Sequence, residues 1–175
     1  MSVLVPLVRK GITFNEVPDR MAVYFELGGC DAGCVGCHSP ELSEDVQNLT
    51  DSNYLIRWAT DQIDAGANAI VVLGGTTSRQ ISEKDLIELL CNLSWIAPVC
   101  LYSGRDTVQN DIDVAVKGGC TWLKTGSYQA DKGGLQSKTT NQKFYKIETI
   151  FFVDKFDIVH SSTNHLVDMT KKFWK

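Results

Sequence analysis

Three thiols stand within eight residues in Cys30-Asp31-Ala32-Gly33-Cys34-Val35-Gly36-Cys37, a C-x3-C-x2-C pattern. Thiolates are soft metal ligands. To converge on one centre they need a backbone that turns sharply, and glycine takes positive φ freely. Three ligands leave a coordination position open. Structural zinc sites normally close with four protein ligands, and most cubane iron–sulfur clusters are held by four cysteines. The pattern therefore points to a metal centre that binds something besides the protein. A zinc site built from Cys30, Cys34, Cys37 and His38 stays open as an alternative, although ligand spacings in such sites are usually wider than neighbouring Cys37 and His38. A disulfide framework fits poorly, because the six cysteines are not dense and no secretory signal precedes them. Cys91, Cys100 and Cys120 lie in a helix-like stretch, a strand-like stretch and beside a Gly-Gly turn. They read as small buried hydrophobes.

The second chemical signal is Val72-Leu73-Gly74-Gly75-Thr76-Thr77. A glycine pair at a strand end lets backbone approach a ligand without Cβ interference, though a plain strand-to-helix turn reads the same way. His38 can stack on a ring or face a metal. His160 and His165 lie in the polar tail without spaced ligand partners and read as surface residues.

The elements that must position these residues follow a rhythm. Residues 21–27 read as a strand, apolar except for Glu26, that runs into Gly28-Gly29 and the cysteine loop. Thr50-Asp51-Ser52 offers N-cap candidates for a helix over 53–64, with Leu55, Trp58, Ala59 and Ile63 on one face. Residues 69–73 suit a strand buried on both faces. Ser82 caps the next helix, with Glu83 and Asp85 in its first turn. Residues 98–102 form a strand, 108–116 a short helix closed by Gly118-Gly119, and 121–124 a strand ending at Thr125-Gly126. Strand, loop and helix, four times over, predict parallel βα units with right-handed crossovers. In such folds function gathers at the carboxyl ends of strands. The cysteine loop, Gly74-Gly75, Ser103-Gly104 and Thr125-Gly126 all occupy such ends. The chain is too short for eight units, so the expectation is an α/β fold, an open partial barrel with a mostly parallel sheet. Residues 144–148 and 149–153 read as a hairpin or as two edge strands.

At 175 residues, 43% apolar and 22% charged, the chain reads as one domain over 1–175 with a full core. A net charge of −4 and the lack of a basic cluster argue against a nucleic-acid partner. No apolar run approaches the roughly 20 residues that span a bilayer. Six cysteines without a signal fit a reducing cytoplasm.

The cysteine triad resembles that of the radical S-adenosylmethionine (radical SAM) enzymes. The resemblance implies that loop 28–41 is the cluster loop, with Cys30, Cys34 and Cys37 holding three irons of a [4Fe-4S] cluster. It implies that S-adenosyl-L-methionine occupies the fourth iron and that no catalytic side chain is needed beyond cluster and cofactor. Backbone around Gly36, Cys37 and His38 would lie against the adenine. Gly74 and Gly75 would meet the methionyl amino group, with Thr76 where the family usually carries an acid. Ser103 would contribute from the third strand tip.

A narrower resemblance joins Gly36-Cys37-His38, Tyr102-Ser103-Gly104, the stretch Gly133-Gly134-Leu135-Gln136-Ser137-Lys138-Thr139-Thr140-Asn141-Gln142, and the ending Val167-Asp168-Met169-Thr170 with Phe173-Trp174. Together these are similar to the activating proteins of anaerobic (class III) ribonucleoside-triphosphate reductase. The implied function is an oxidoreductase that cleaves S-adenosyl-L-methionine reductively and generates a glycyl radical on the reductase. The implied partners are the reductase large subunit and an electron donor such as flavodoxin. On that comparison 133–145 becomes a candidate docking or substrate-guiding segment, whereas its residue types alone describe a solvated polar loop. The chain departs from the family at Thr76 and in an apparent insertion near 153–162; the tail spans 144–175. Other readings are a different radical SAM enzyme, acting on a small molecule or on another glycyl-radical enzyme, and a non-enzymatic zinc- or cluster-binding domain.

Overall fold

The computed structural model describes residues 2–153 and 159–174. The chain runs through β1 (Leu4–Val5), β2 (Leu7–Thr13), β3 (Ala22–Leu27), β4 (Thr50–Asp51), α1 (Ser52–Asp64), β5 (Ala69–Leu73), α2 (Glu83–Ser94), β6 (Val99–Tyr102), α3 (Gln109–Lys117), β7 (Trp122–Thr125), β8 (Lys143–Val153) and β9 (Val159–Asp168). Short 3-10 turns span Pro40–Ser43, Gly75–Thr77 and Thr170–Phe173. Seven strands form one sheet in the order β2-β3-β5-β6-β7-β8-β9, while β1 pairs with β4 alone.

β3, β5, β6 and β7 are parallel neighbours, as the strand–helix rhythm predicts. β2 adds antiparallel to β3, β8 to β7, and β9 to β8. The three central pairings are parallel and the three outer ones antiparallel, so the described sheet is mixed where the sequence leads one to expect a mostly parallel one. β2 lies in the first 20 residues, where no periodicity marks a strand; pairing with β3 makes it one. β2 and β9 are the two edges, so the sheet is open.

Strand alternation sorts the core into two faces. Val23, Phe25, Ile70, Val72, Val99, Leu101 and Leu123 meet Leu55 and Ala59 of α1, Leu86, Leu89, Leu90 and Leu93 of α2, and Val114 and Ala115 of α3. Each fully buried leucine here contributes about 2 kcal/mol. Ala22, Ala69, Val71, Cys100, Tyr102 and Trp122 face the other way, onto Val17, Leu135, Phe144 and Phe173. All three helices thus cover one face, and loop segments cover the other. The caps match the sequence: Asp51 accepts from the Asn53 amide at 2.7 Å, and Ser82 from the Asp85 amide at 3.1 Å. These bonds satisfy helix N–H groups that have no partner within the helix.

The tail corrects the sequence reading. Residues 143–153 are one continuous strand, and its hairpin partner is β9, not a second half of the same stretch. Glu148-Thr149 lacks the Gly, Asn, Asp or Pro that a tight turn requires. β7 reaches β8 only from Lys143 to Lys146. Beyond it β8 and β9 continue as a two-stranded arm with Ile150, Phe151 and Phe152 exposed. Residues 154–158 of the apparent insertion near 153–162 lie outside the described residues, as does the His160 side chain; His165 is exposed.

Candidate functional site

Four residues at the carboxyl ends of the parallel strands stand in one register row: Glu26 opposite Leu73, Leu73 opposite Tyr102, Tyr102 opposite Lys124. All four line a cavity of about 330 Å³ on the face that carries no helix. Cys30, Cys34, Cys37 and His38 wall the same cavity, with Gly74, Thr77, Ser103 and Gly104 from the next two strand tips. Tyr128, Leu135, Gln136 and Gln142, from the stretch after β7, complete the lining.

The cysteine loop is pinned at its ends and free in its middle. The Cys30 amide donates to the Leu42 carbonyl at 2.7 Å, and Cys30 bridges to Ser78. Cys30 Sγ lies 3.0 Å from Thr77 Oγ1. Further on, the Cys37 amide reaches the Cys34 carbonyl at 3.3 Å, and Cys37 Sγ accepts from the Ser39 amide at 3.4 Å. Gly36 between them has φ 73°, which a residue with a Cβ adopts only at a cost. Cys30 and Cys34 are half-buried and Cys37 is exposed. The donor set fits a thiolate-held cluster: three soft ligands on one short loop facing one cavity. Among the described residues no three ligand side chains are drawn together closely enough to hold an ion.

The other cysteines are of a different kind. Cys100 and Cys120 are buried, and burial pushes both thiols well up from their ordinary range. Cys91 Sγ donates to the Lys117 carbonyl at 3.1 Å, joining α2 to the end of α3. None of the three lines the cavity.

The glycine pair divides in role. Gly74 lines the cavity with φ 85°, and a Cβ there would stand 2.6 Å from the Leu27 carbonyl oxygen. Gly75 does not line the cavity; its Cβ position is 2.7 Å from Leu86 Cδ1, so its smallness seats α2 against the sheet. Thr76 Oγ1 is buried without a hydrogen-bond partner and is off the cavity wall. Thr77 is the hydroxyl residue that faces the site. Gly36 stays outside the lining, and His38 meets Tyr128 edge-on at 4.6 Å between ring centroids. Ser103 lines the wall, but its hydroxyl donates to the fully buried Asp111. Arg105 pairs with Asp111 at 2.8 Å and donates to the Thr76 carbonyl at 2.6 Å, locking two strand tips together.

Two charged residues of this row went unassigned in the sequence reading. Lys124 Nζ is buried and donates to the Gly126 carbonyl at 2.9 Å. Burial lowers its pKa to about 8, against a smaller upward pull from Cys34 and Glu16. Glu26 Oε2 accepts from Arg9 Nε at 2.6 Å, and the same guanidinium reaches Glu41 at 2.8 Å. The signal was a lone charge in each otherwise buried strand, Ala22–Leu27 and Trp122–Thr125. Such charges rarely persist without a partner or a task.

The stretch 126–142 is a folded cover, not a solvated loop. Asn141 Nδ2 donates to the Ser127 carbonyl at 2.9 Å, Thr140 Oγ1 to Gly133 at 3.2 Å, and Gln142 Nε2 to Gly126 at 3.3 Å. Its polar side chains satisfy its own backbone while Leu135 enters the second core cluster. Comparison with protein-family models, with curated proteins and with solved structures finds no match. Among the described residues, no helix is long and apolar enough to cross a membrane.

Proposed function

We propose that this chain is a radical SAM activase that generates a glycyl radical on anaerobic ribonucleoside-triphosphate reductase. The observation that carries the reading is the shared cavity: the three thiols of one loop and the tips of four parallel strands line the same space. The accompanying fold assignment is an open partial barrel of the radical SAM type. Cys30, Cys34 and Cys37 would hold a [4Fe-4S] cluster. When bound, cluster and S-adenosyl-L-methionine supply one-electron chemistry ending in hydrogen abstraction.

The chain's own residues bind, orient and exclude. Gly74 brings backbone to the ligand, and Lys124 donates to one of its acceptor groups from a buried position where that bond is strong. Tyr102 and Leu73 floor the site, and the 126–142 cover shields it from water and reaches the cysteine loop through Tyr128. The cysteine side stays open: Cys37 is exposed and Val35 is 85% exposed. A macromolecular substrate, the glycine loop of the reductase, would close that side. The accompanying assignments are a cytoplasmic location, an electron donor such as flavodoxin, and no nucleic-acid or membrane partner.

The test is anaerobic reconstitution with iron and sulfide, followed by reductant, S-adenosyl-L-methionine and the reductase. Electron paramagnetic resonance is expected to show a glycyl doublet that vanishes when the reductase's target glycine becomes alanine. Stoichiometric conversion of a small molecule by the isolated chain, with no doublet, would transfer the assignment to a small-molecule radical SAM enzyme. Uptake of zinc with no iron would replace both by a non-enzymatic metal domain.

A further inference from the structure

The three cysteines of the loop differ in what touches their sulfurs. Cys34 Sγ has no hydrogen bond among the described residues, and Cys37 Sγ accepts from the Ser39 amide at 3.4 Å. Cys30 Sγ stands 3.0 Å from Thr77 Oγ1, the shorter of these contacts. Thr77 is 4% exposed, and its place is fixed by backbone. The Asp31 amide donates to the Thr77 carbonyl at 2.9 Å, Cys30 bridges to Ser78, and the Gly75–Thr77 turn carries the side chain. The Thr77 hydroxyl has one proton and two acceptors within reach. It lies 3.3 Å from the Gly74 carbonyl and 3.0 Å from Cys30 Sγ. A Cys30 thiol can donate to Thr77 while Thr77 donates to Gly74. As a metal ligand Cys30 is a thiolate with no proton, so it only accepts. A hydrogen bond to a charged acceptor is about twice as strong as one between neutral groups. Thr77 then turns its hydroxyl to the sulfur.

We propose that Thr77 tunes the reduction of the centre held by Cys30: its hydroxyl donates to the Cys30 thiolate and raises the reduction potential of the cluster. The inference rests on the reading that Cys30, Cys34 and Cys37 hold an iron–sulfur cluster. Reduction brings in one electron from the electron donor, and no bond of this chain forms or breaks. The added negative charge spreads onto the thiolate sulfurs. A donor to one of them therefore stabilises the reduced state more than the oxidised state. Hydrogen bonds to the sulfurs are among the levers that set cluster potentials, and the partners of metal ligands are where such tuning resides. Thr77 acts through Cys30 and is a positioning residue. The neighbouring Thr76 cannot take this part, because its hydroxyl is buried off the cavity wall without a partner.

The test is a redox titration of the anaerobically reconstituted full chain, with no S-adenosyl-L-methionine added, read by electron paramagnetic resonance of the reduced cluster. Thr77→Val keeps the shape and the methyl group beside Gly104 but removes the hydroxyl. It is expected to take up iron as the wild type does. Only the difference between the two oxidation states counts, so the effect is smaller than a whole charged hydrogen bond. Reduction should become less favourable by about 3- to 10-fold, a downward shift of about 30–60 mV for one electron. Thr77→Ser keeps the hydroxyl and is expected to hold the wild-type potential. If Thr77→Val does not fold, Thr77→Ala removes the same hydroxyl and carries the same expectation. An unchanged potential in the folded variant that lacks the hydroxyl overturns the assignment, while leaving the cluster reading standing. So does a folded Thr77→Val that takes up no iron, or a Thr77→Ser potential as low as that of Thr77→Val, which would trace the effect to packing. A wild type that takes up no iron, or holds no reducible cluster, overturns the cluster reading and the assignment together.

Discussion

Lys124→Met is expected to make the chain more stable and the site less competent. The folded chain holds this ammonium at a pKa of about 8 instead of the ordinary 10.5, chiefly because it is buried. At about 1.36 kcal/mol per pH unit, that gap amounts to roughly 3 kcal/mol of destabilisation at pH 7. Methionine is similar in length, carries no charge and packs adaptably. The substitution forfeits one hydrogen bond to the Gly126 carbonyl, worth about 1 kcal/mol, but that carbonyl keeps the Gln142 amide at 3.3 Å. The net gain is therefore about 2 kcal/mol, which for a chain of this size corresponds to roughly 4–8 °C in melting temperature.

Equilibrium denaturation of both proteins from pH 6.5 to 10.5 measures it. A lysine with a lowered folded pKa leaves the unfolded state binding more protons between about 8 and 10.5. Wild-type stability attributable to Lys124 therefore rises over that window. The advantage of the variant should be constant below pH 8 and shrink toward pH 10.5, a difference in which titrations common to both proteins cancel. The variant should also bind S-adenosyl-L-methionine at least about tenfold more weakly, having lost a buried charged donor. A variant less stable than wild type at pH 7, or an advantage that does not change with pH, would refute the reasoning. Confirmation would show a residue kept in the core at a cost in stability because the site needs its charge.

Cys30→Ala, Cys34→Ala and Cys37→Ala should each abolish or sharply reduce iron and sulfide uptake on anaerobic reconstitution, whereas alanine at Cys91, Cys100 or Cys120 should leave it intact; elemental analysis of the folded variants decides. Gly75→Val should destabilise the fold by about 1–3 kcal/mol through overpacking against Leu86, read as a lower denaturation midpoint, before any effect on ligand binding is considered. Thr76→Ala should be close to neutral in both stability and cofactor affinity, since its buried hydroxyl has no partner to lose; a tenfold loss of affinity would show that the hydroxyl reaches the ligand.

Much of this protein is written locally. The cysteine spacing, the apolar run Ala69–Leu73, the capping residues Asp51 and Ser82 and the leucines of α2 each act within a few residues of themselves, so period and residue type suffice to read them. The central parallel strands follow from that rhythm. Tertiary structure alone decided what depends on residues far apart in sequence. β2 is a strand because β3 lies beside it, and β8 continues past Glu148 because β9, arriving ten or more residues later, pairs with it. Adjacent residues were assigned different work by what packs on them: Gly74 faces the cavity and Gly75 faces Leu86, Thr77 faces Cys30 and Thr76 does not. Glu26 and Lys124 are 98 positions apart in the chain yet stand in one register row. Sequence marks each as an odd charge in a buried strand. Only the alignment of four strands, set by hydrogen bonds between backbones, turns both charges toward the same space as the three thiols.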